Sequence, residues 1–155
     1  MSVIYHYTSG AHLNKILETG KLIVSEWEKK NGVRPPALWL SLNPIWENTA
    51  TKLVNDNGTV RRLTKSEQHD KFGLFRFVLG FNKSELCSWA RYRHASNTPG
   101  NTYVAMENSG IELGSNPLEW YASFKDIPIV ECISCEIWNG NKWINHINLQ
   151  QDSTQ

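Results

Sequence analysis

Cysteine is scarce and long apolar runs are absent. Three cysteines, Cys87, Cys132 and Cys135, are an odd count, which argues against a disulfide framework. No stretch approaches the roughly 18 apolar residues of a membrane span. The opening MSVIYHYTSG has neither the basic nor the apolar region of a secretory leader, so a cytoplasmic protein without membrane contact is expected. An excess of one charge is missing too: 16 Lys and Arg face 15 Asp and Glu, a net +1. Proteins that bind nucleic acid by neutralising phosphates carry a clear basic excess, which leaves only a local patch such as Arg61, Arg62 and Lys65 for that role. No GxGxxG or Walker A pattern occurs, so a glycine-rich phosphate cradle is excluded.

What the chain has is length for one core, and many aromatic rings. At 155 residues a single domain buries about 69% of its extended surface, enough to fold without metal or disulfides. Hydrophobic residues at 40% and charged residues at 20% exclude a disordered chain. Seven Trp, five Tyr and five Phe suit either a groove that stacks flat rings or a small dense core.

Read along the chain, residues 3 to 7 form a strand. A helix follows, with Ser9 as its cap, Leu13, Ile16 and Leu17 as its apolar stripe and Gly20 as its stop. A short strand covers 22 to 25, a charged loop 27 to 36, and a buried strand 37 to 41. Asn43-Pro44 opens a helix-like segment through Trp46, Ala50, Leu53 and Val54, and Asn55 to Gly58 is a turn. Phe75, Phe77, Leu79 and Phe81 alternate on one face of a strong strand. Ser84 caps a second helix that carries Cys87 and runs to about His94. Residues 95 to 117 read as a long Asn/Gly-rich loop, with a short strand at 102 to 106; loops of that length are commonly functional. A short strand covers 119 to 123 and a long one 129 to 138. Asn139-Gly140 signals a two-residue hairpin, and residues 142 to 147 return. The class is α+β: one mainly antiparallel, split sheet with two or three helices over residues 1 to 147, then a frayed polar tail from 148 to 155.

Two constellations carry chemistry poorly. Cys132 and Cys135 form a CxxC within one expected strand, which points the sulfurs to opposite faces, and no second pair completes a tetrahedral metal site. Cys87 lies beside an apolar helix stripe with nothing to activate its thiolate. The two ends of the chain hold more. His6, in Tyr5-His6-Tyr7-Thr8-Ser9, ends a strand just before a helix. Its ring N–H can meet a sugar hydroxyl, and Thr8, Ser9 and the helix amides can meet anionic oxygens. The same histidine would equally serve to fix the strand-to-helix turn. Glu119, in NPLEWY, leaves a polar loop for an apolar strand, where a carboxylate can meet developing positive charge or simply lie exposed.

Together these segments resemble the ADP-ribosyltransferases. YHYTSGAHLNKILETGKLIVS is similar to the H-x-T opening of the DarT-type DNA ADP-ribosyltransferases and related bacterial and phage families. NPLEWYASFKDIPIVECISCEIW is similar to their late block, and ALWLSLNPIWENTATK resembles their middle block more weakly. The resemblance implies NAD as substrate, held between two small antiparallel sheets without metal. It implies that His6, assisted by Thr8, grips a ribose, and that Tyr7, Ser9, Trp39 and Ser41 help to bind the cofactor. Glu119 would orient the 2′-hydroxyl and stabilise the oxocarbenium-like centre as nicotinamide leaves. The residue that clamps the cofactor stays open among Arg34, Tyr7 and Trp39, and the 95 to 117 loop would meet the acceptor. The expected activity is transfer of ADP-ribose to DNA, RNA or protein, or to water. The alternatives are the same fold holding a nucleotide or protein partner without turnover, and an NAD-dependent enzyme removing an RNA 2′-phosphate, whose basic residue set is not evident.

Overall fold

β-Branched and aromatic residues favour a pleated strand, and the first element, β1 (Val3–Ser9), is built from them. The computed structural model describes residues 2–32 and 35–149. After β1, helix α1 (Gly10–Thr19) buries Leu13 and Ile16 and is closed by Gly20 at φ 73°, whose amide returns to the Ile16 carbonyl. That is the left-handed helix stop that glycine permits. Ser9 stands at the cap position, yet its side chain makes no capping bond. Then come β2 (Lys21–Leu22), α2 (Glu26–Lys30), β3 (Leu38–Ser41), β4 (Leu53–Asp56), β5 (Thr59–Arg62), α3 (Lys65–Phe72) and β6 (Leu74–Gly80). The chain continues through β7 (Cys87–Ser88), α4 (Trp89–Ala95), α5 (Gly100–Glu112), β8 (Trp120–Ser123), β9 (Ile127–Pro128), β10 (Ser134–Trp138) and β11 (Trp143–Ile147).

Seven strands form one sheet in the order β11-β10-β6-β1-β3-β8-β7, with every neighbouring pair antiparallel. The α+β class with a mainly antiparallel sheet is therefore as read from sequence, although five α-helices stand among the described residues where two or three were expected. The sheet is continuous but unevenly knit. Strands β1 and β6 pair over seven residues, from Val3↔Gly80 to Ser9↔Leu74, whereas β1 and β3 meet at one pair, Tyr5↔Ser41. Instead of two separate small sheets, one sheet opens along a seam between β1 and β3.

Several local readings are corrected. The charged stretch after Trp27 contains α2, because Ser25 accepts from the Glu28 amide and supplies the cap that a helix start needs. Residues 43 to 54 do not form a helix. Asn43 draws the amides of Ile45 and Trp46 onto its side chain, which diverts the backbone into a turn, and only a 3-10 turn, Asn48–Ala50, precedes β4. Residues 59 to 71 become β5, reached through Asn57-Gly58 with both φ positive, and α3, started by a Thr64/Glu67 capping box. Ser84 caps no helix; Ser88 stands at the cap position of α4, without a side-chain capping bond, and Cys87 lies in β7. The expected 95 to 117 loop, with its strand at 102 to 106, is mostly the thirteen-residue helix α5. Residues 129 to 131 form a 3-10 turn before β10, so strand alternation does not apply between Cys132 and Cys135. Both sulfurs enter the same core rather than opposite faces. The hairpin from β10 to β11 pairs Trp138 with Trp143, so its loop has four residues rather than two. Leu149 packs against the core, and 150 to 155 of the expected tail lie outside the described residues.

The main core lies under α1 and contains Ile4, Leu13, Ile16, Leu40, Phe77 and Leu79, with Cys132 and Cys135. A second core of Trp89, Tyr92, Trp120 and Ala122 lies beyond the seam. Helix α5 reaches it because residue 110 is glycine: a Cβ there would stand 2.2 Å from the Trp120 ring. Replacing glycine by alanine inside a helix ordinarily stabilises by up to about 1 kcal/mol. Gly110→Ala should instead destabilise by about 1–3 kcal/mol, the usual range for overpacking, as read by urea denaturation. A stability gain would show that α5 and Trp120 do not pack in this way.

Candidate functional site

Where β1 and β3 part, a cavity of about 560 Å³ opens, within the range of small-molecule sites. Strand β1 contributes Tyr5, His6 and Tyr7, β3 contributes Trp39 and Ser41, and α5 supplies a wall of small side chains. Trp89 and Trp120 close the far side. A second hollow of about 390 Å³ adjoins it, sharing His6, Tyr7 and Ala50 and adding Thr8, Ser9, His12 and Lys52.

His6 stands at the junction. Its Nδ1 lies 2.9 Å from the Trp39 carbonyl oxygen. A carbonyl can only accept, so Nδ1 carries the proton. Burial lowers the pKa of His6, against the opposing pull of that hydrogen bond, and the charge of His12 adds to the lowering. The ring is thus neutral near pH 7, with Nε2 as an open acceptor. This reverses the expected polarity: the N–H is spent on the backbone, and a sugar hydroxyl would donate to the ring.

Each tryptophan of the cavity has its indole N–H tied to a carboxylate. Trp39 donates to Glu28 at 2.9 Å, Trp89 to Glu107 at 3.0 Å, and Trp120 to Glu47 at 3.2 Å. Buried indole N–H groups need such partners. Trp89 is also stacked on Tyr103 and Tyr92 and meets Trp120 edge to face, so Trp39, the half-buried ring of the three, has the most face left for the cavity.

Glu47 is the residue that sequence reasoning missed. Only 7% exposed, it accepts from Ser41 Oγ at 2.8 Å and from Trp120 Nε1. It also accepts from the Thr49 amide and hydroxyl at 3.2 and 2.8 Å, and from Ser115 Oγ at 2.5 Å. The one local signal is a glutamate directly after a buried Trp46, two residues before a threonine it can cap. Its donors from beyond residue 110 lie too far along the chain to be paired with it by spacing.

The remaining expected residues divide. His6, Tyr7, Trp39 and Ser41 line the main cavity, while Thr8 and Ser9 line the second. Ser41 is already engaged by Glu47 and the Asn43 amide. Tyr7 donates to the Asn43 carbonyl and accepts from Arg76, and burial raises its pKa. Arg34 lies outside the described residues. Glu119 ends a 3-10 turn, Pro117–Glu119, rather than starting a strand. It is not among the residues lining the cavity, and its side chain makes one long contact, 3.5 Å from Asn43 Nδ2. Burial, and then the nearby charge of Glu47, raise its pKa. Arg62 does line the cavity, though its guanidinium is bound to Thr51. The local basic patch is not assembled: Arg61 pairs with Asp56 and Glu67, and Lys65 covers the Trp138 ring.

Burial pushes the thiols of Cys132 and Cys135 up to about 12, so both are inert at neutral pH. Among the described residues no group of three or more His, Cys, Asp or Glu is placed to hold a metal ion.

The two glutamates should behave oppositely when neutralised. Glu47→Gln puts an amide among five donors and should destabilise by about 2–3 kcal/mol, the penalty for buried groups left unpaired. Glu119 has its pKa raised on folding, so its charged form opposes folding above that pKa and is neutral in effect below the unfolded value. Glu119→Gln should therefore be equal to the parent or slightly more stable at pH 7, with any difference vanishing as the solution is acidified through the carboxylate range. Chemical denaturation at several pH values checks both, and a large loss for Glu119→Gln at pH 7 would contradict this placement. Among known proteins, no family model, no curated protein and no solved structure matches the chain.

Proposed function

We propose that the protein is an NAD-dependent ADP-ribosyltransferase, with NAD⁺ in the main cavity and a macromolecular acceptor, DNA, RNA or protein, approaching from outside. The observation that carries this reading is the neutral His6, whose Nε2 is an open acceptor inside a cavity walled by pinned indole rings. A ribose hydroxyl donates to Nε2, and a flat heterocycle lies against the half-buried Trp39 ring. In the reaction the bond between nicotinamide and C1′ breaks, and its electron pair leaves with nicotinamide. The sugar carbon becomes oxocarbenium-like, an acceptor lone pair forms the new bond, and the acceptor's proton passes to solvent. With water as acceptor the same step is NAD hydrolysis. Two carboxylates favour the cationic centre. Glu47 is a fixed negative charge in the wall, its oxygens already occupied. Glu119, held by one long contact, turns past Asn43 to meet the 2′-hydroxyl.

A second reading is a nucleotide- or protein-binding module of the same shape without turnover. The observation favouring it is that Glu119 is not part of the cavity lining.

Nicotinamide release and NAD⁺ binding, measured on the parent, Glu119→Gln and His6→Ala, separate the two. The transferase reading expects release by the parent, and a loss of about 10²–10³ in rate for Glu119→Gln with affinity retained. His6→Ala should instead weaken binding, because the ring accepts from ribose in ground and transition states alike. Binding without release would leave the module reading. No binding of NAD⁺ at millimolar concentration would overturn the transferase reading.

A further inference from the structure

The hollow beside the main cavity brings basic groups together and leaves their charge unanswered. Lys52 Nζ lies 2.5 Å from His12 Nε2, and among the described residues Lys52 has no carboxylate partner. Burial lowers the pKa of both groups, and the charge of Lys52 lowers that of His12 further. Lys15 also lines the hollow, with the acidic Glu26 at 3.9 Å from its ammonium. The start of α1 opens here as well, with no acidic residue in its first turn and no side-chain cap. The Gly10 amide already donates to the Gly73 carbonyl at 3.3 Å, so the start of α1 adds only its remaining amides to the attraction for an anion.

A second observation points to a ligand independently of the helix. Ser9, only 1% exposed, lines this hollow, and its Oγ has no hydrogen-bond partner. A buried hydroxyl left unpaired costs about 1–3 kcal/mol. In its place at the head of α1 this serine would ordinarily cap the helix, and it does not. An anion seated between Ser9, His12 and Lys52 gives the hydroxyl an acceptor and separates the two basic groups by a negative charge.

We propose that this hollow is a phosphate-binding subsite, taking the phosphate of the ligand whose sugar meets His6 in the adjoining cavity. The inference deepens the nucleotide reading and rests on it for the identity of the ligand. His6 and Tyr7 line both spaces, so one molecule can place its sugar at the junction and its phosphates toward Lys52.

Calorimetric titration with inorganic pyrophosphate, ADP-ribose, adenosine and nicotinamide riboside, at constant ionic strength, tests this. Pyrophosphate should bind, and ADP-ribose should bind more tightly than adenosine. Lys52→Met and Lys52→Gln should each weaken both phosphate ligands by about 10- to 100-fold, the size of one charge-assisted hydrogen bond, while leaving adenosine unchanged. Ser9→Ala should weaken them less. The groups facing the hollow are His6, His12, Lys15, Glu26 and Lys52, so the pH effect is read on the His12 ring itself by NMR. Bound pyrophosphate should raise its pKa, and binding should tighten as pH falls through that range. If nucleosides bind but pyrophosphate does not, or if both Lys52 variants bind ADP-ribose like the parent, the subsite is overturned and the nucleotide reading stands. If pyrophosphate binds in the Lys52-dependent way and the nucleosides do not, the subsite stands and the nucleotide reading falls.

Discussion

One buried carboxylate fixes the geometry on which the cavity depends. Strands β1 and β3 share a single pair, so the ladder alone does not decide how wide the seam between them opens. Glu47 decides it. Its two oxygens gather Ser41 from β3, Thr49 from the turn after it, Ser115 from the segment behind α5 and Trp120 from β8. All four are separate in the chain, and three of them, Ser41, Thr49 and Trp120, line the cavity themselves. Each donor would be unsatisfied without the carboxylate, and each bond is worth more in a low-dielectric interior than at the surface. The polar network therefore acts as a rigid frame around an apolar space.

The same logic extends to the ring walls. Trp39 is held through Glu28 on α2, and Trp89 through Glu107 on α5. Both glutamates come from helices that pack over the seam. Tertiary anchors of this kind, with Trp89 stacked on Tyr103 and Trp39 packed on Tyr92, remove rotational choice, which is how a site is organised before a ligand arrives. On the other side of β1, Arg76 is sandwiched by Tyr5 and Trp143 and bonded to Glu136 at 2.7 Å. It ties the β6 and β10 strands to the base of the seam. The aromatic content of the chain thus serves both uses at once: Tyr92 is core, Trp89 and Trp120 are core residues that also line the cavity, and Trp39 lines it from β3.

What was legible in the sequence follows from which elements face a core. Strand β6 and helix α1 bury regular apolar stripes, and both were read with their faces correct. Gly20 was readable because only one residue type serves that backbone. Helix α5 was not, for a physical reason. Its inner face, Thr102, Ala105, Met106, Ser109 and Gly110, lines a cavity instead of a core, while Val104 and Ile111 point outward at 50% and 53% exposure. The periodicity that marks a helix is therefore muted, and its small polar residues resemble a loop. Glu47 was hidden for a related reason, since four of its five donor bonds depend on where β3, β8 and the Ser115 segment meet or on side-chain contacts. His6 was found from its place between strand and helix, but the direction of its hydrogen bond was set by the Trp39 carbonyl, which no local pattern encodes.

The account turns on whether a nucleotide occupies the seam. The direct measurement is a titration with NAD⁺ followed through the indole N–H signals of the protein in a nitrogen-correlated NMR spectrum, assigned by single Trp→Phe variants. The account predicts saturable movement of the Trp39 and Trp120 signals, with the Trp138 signal, on β10 two strands away from β1, unmoved. Trp39 and Trp120 signals that stay in place at millimolar NAD⁺ would contradict it.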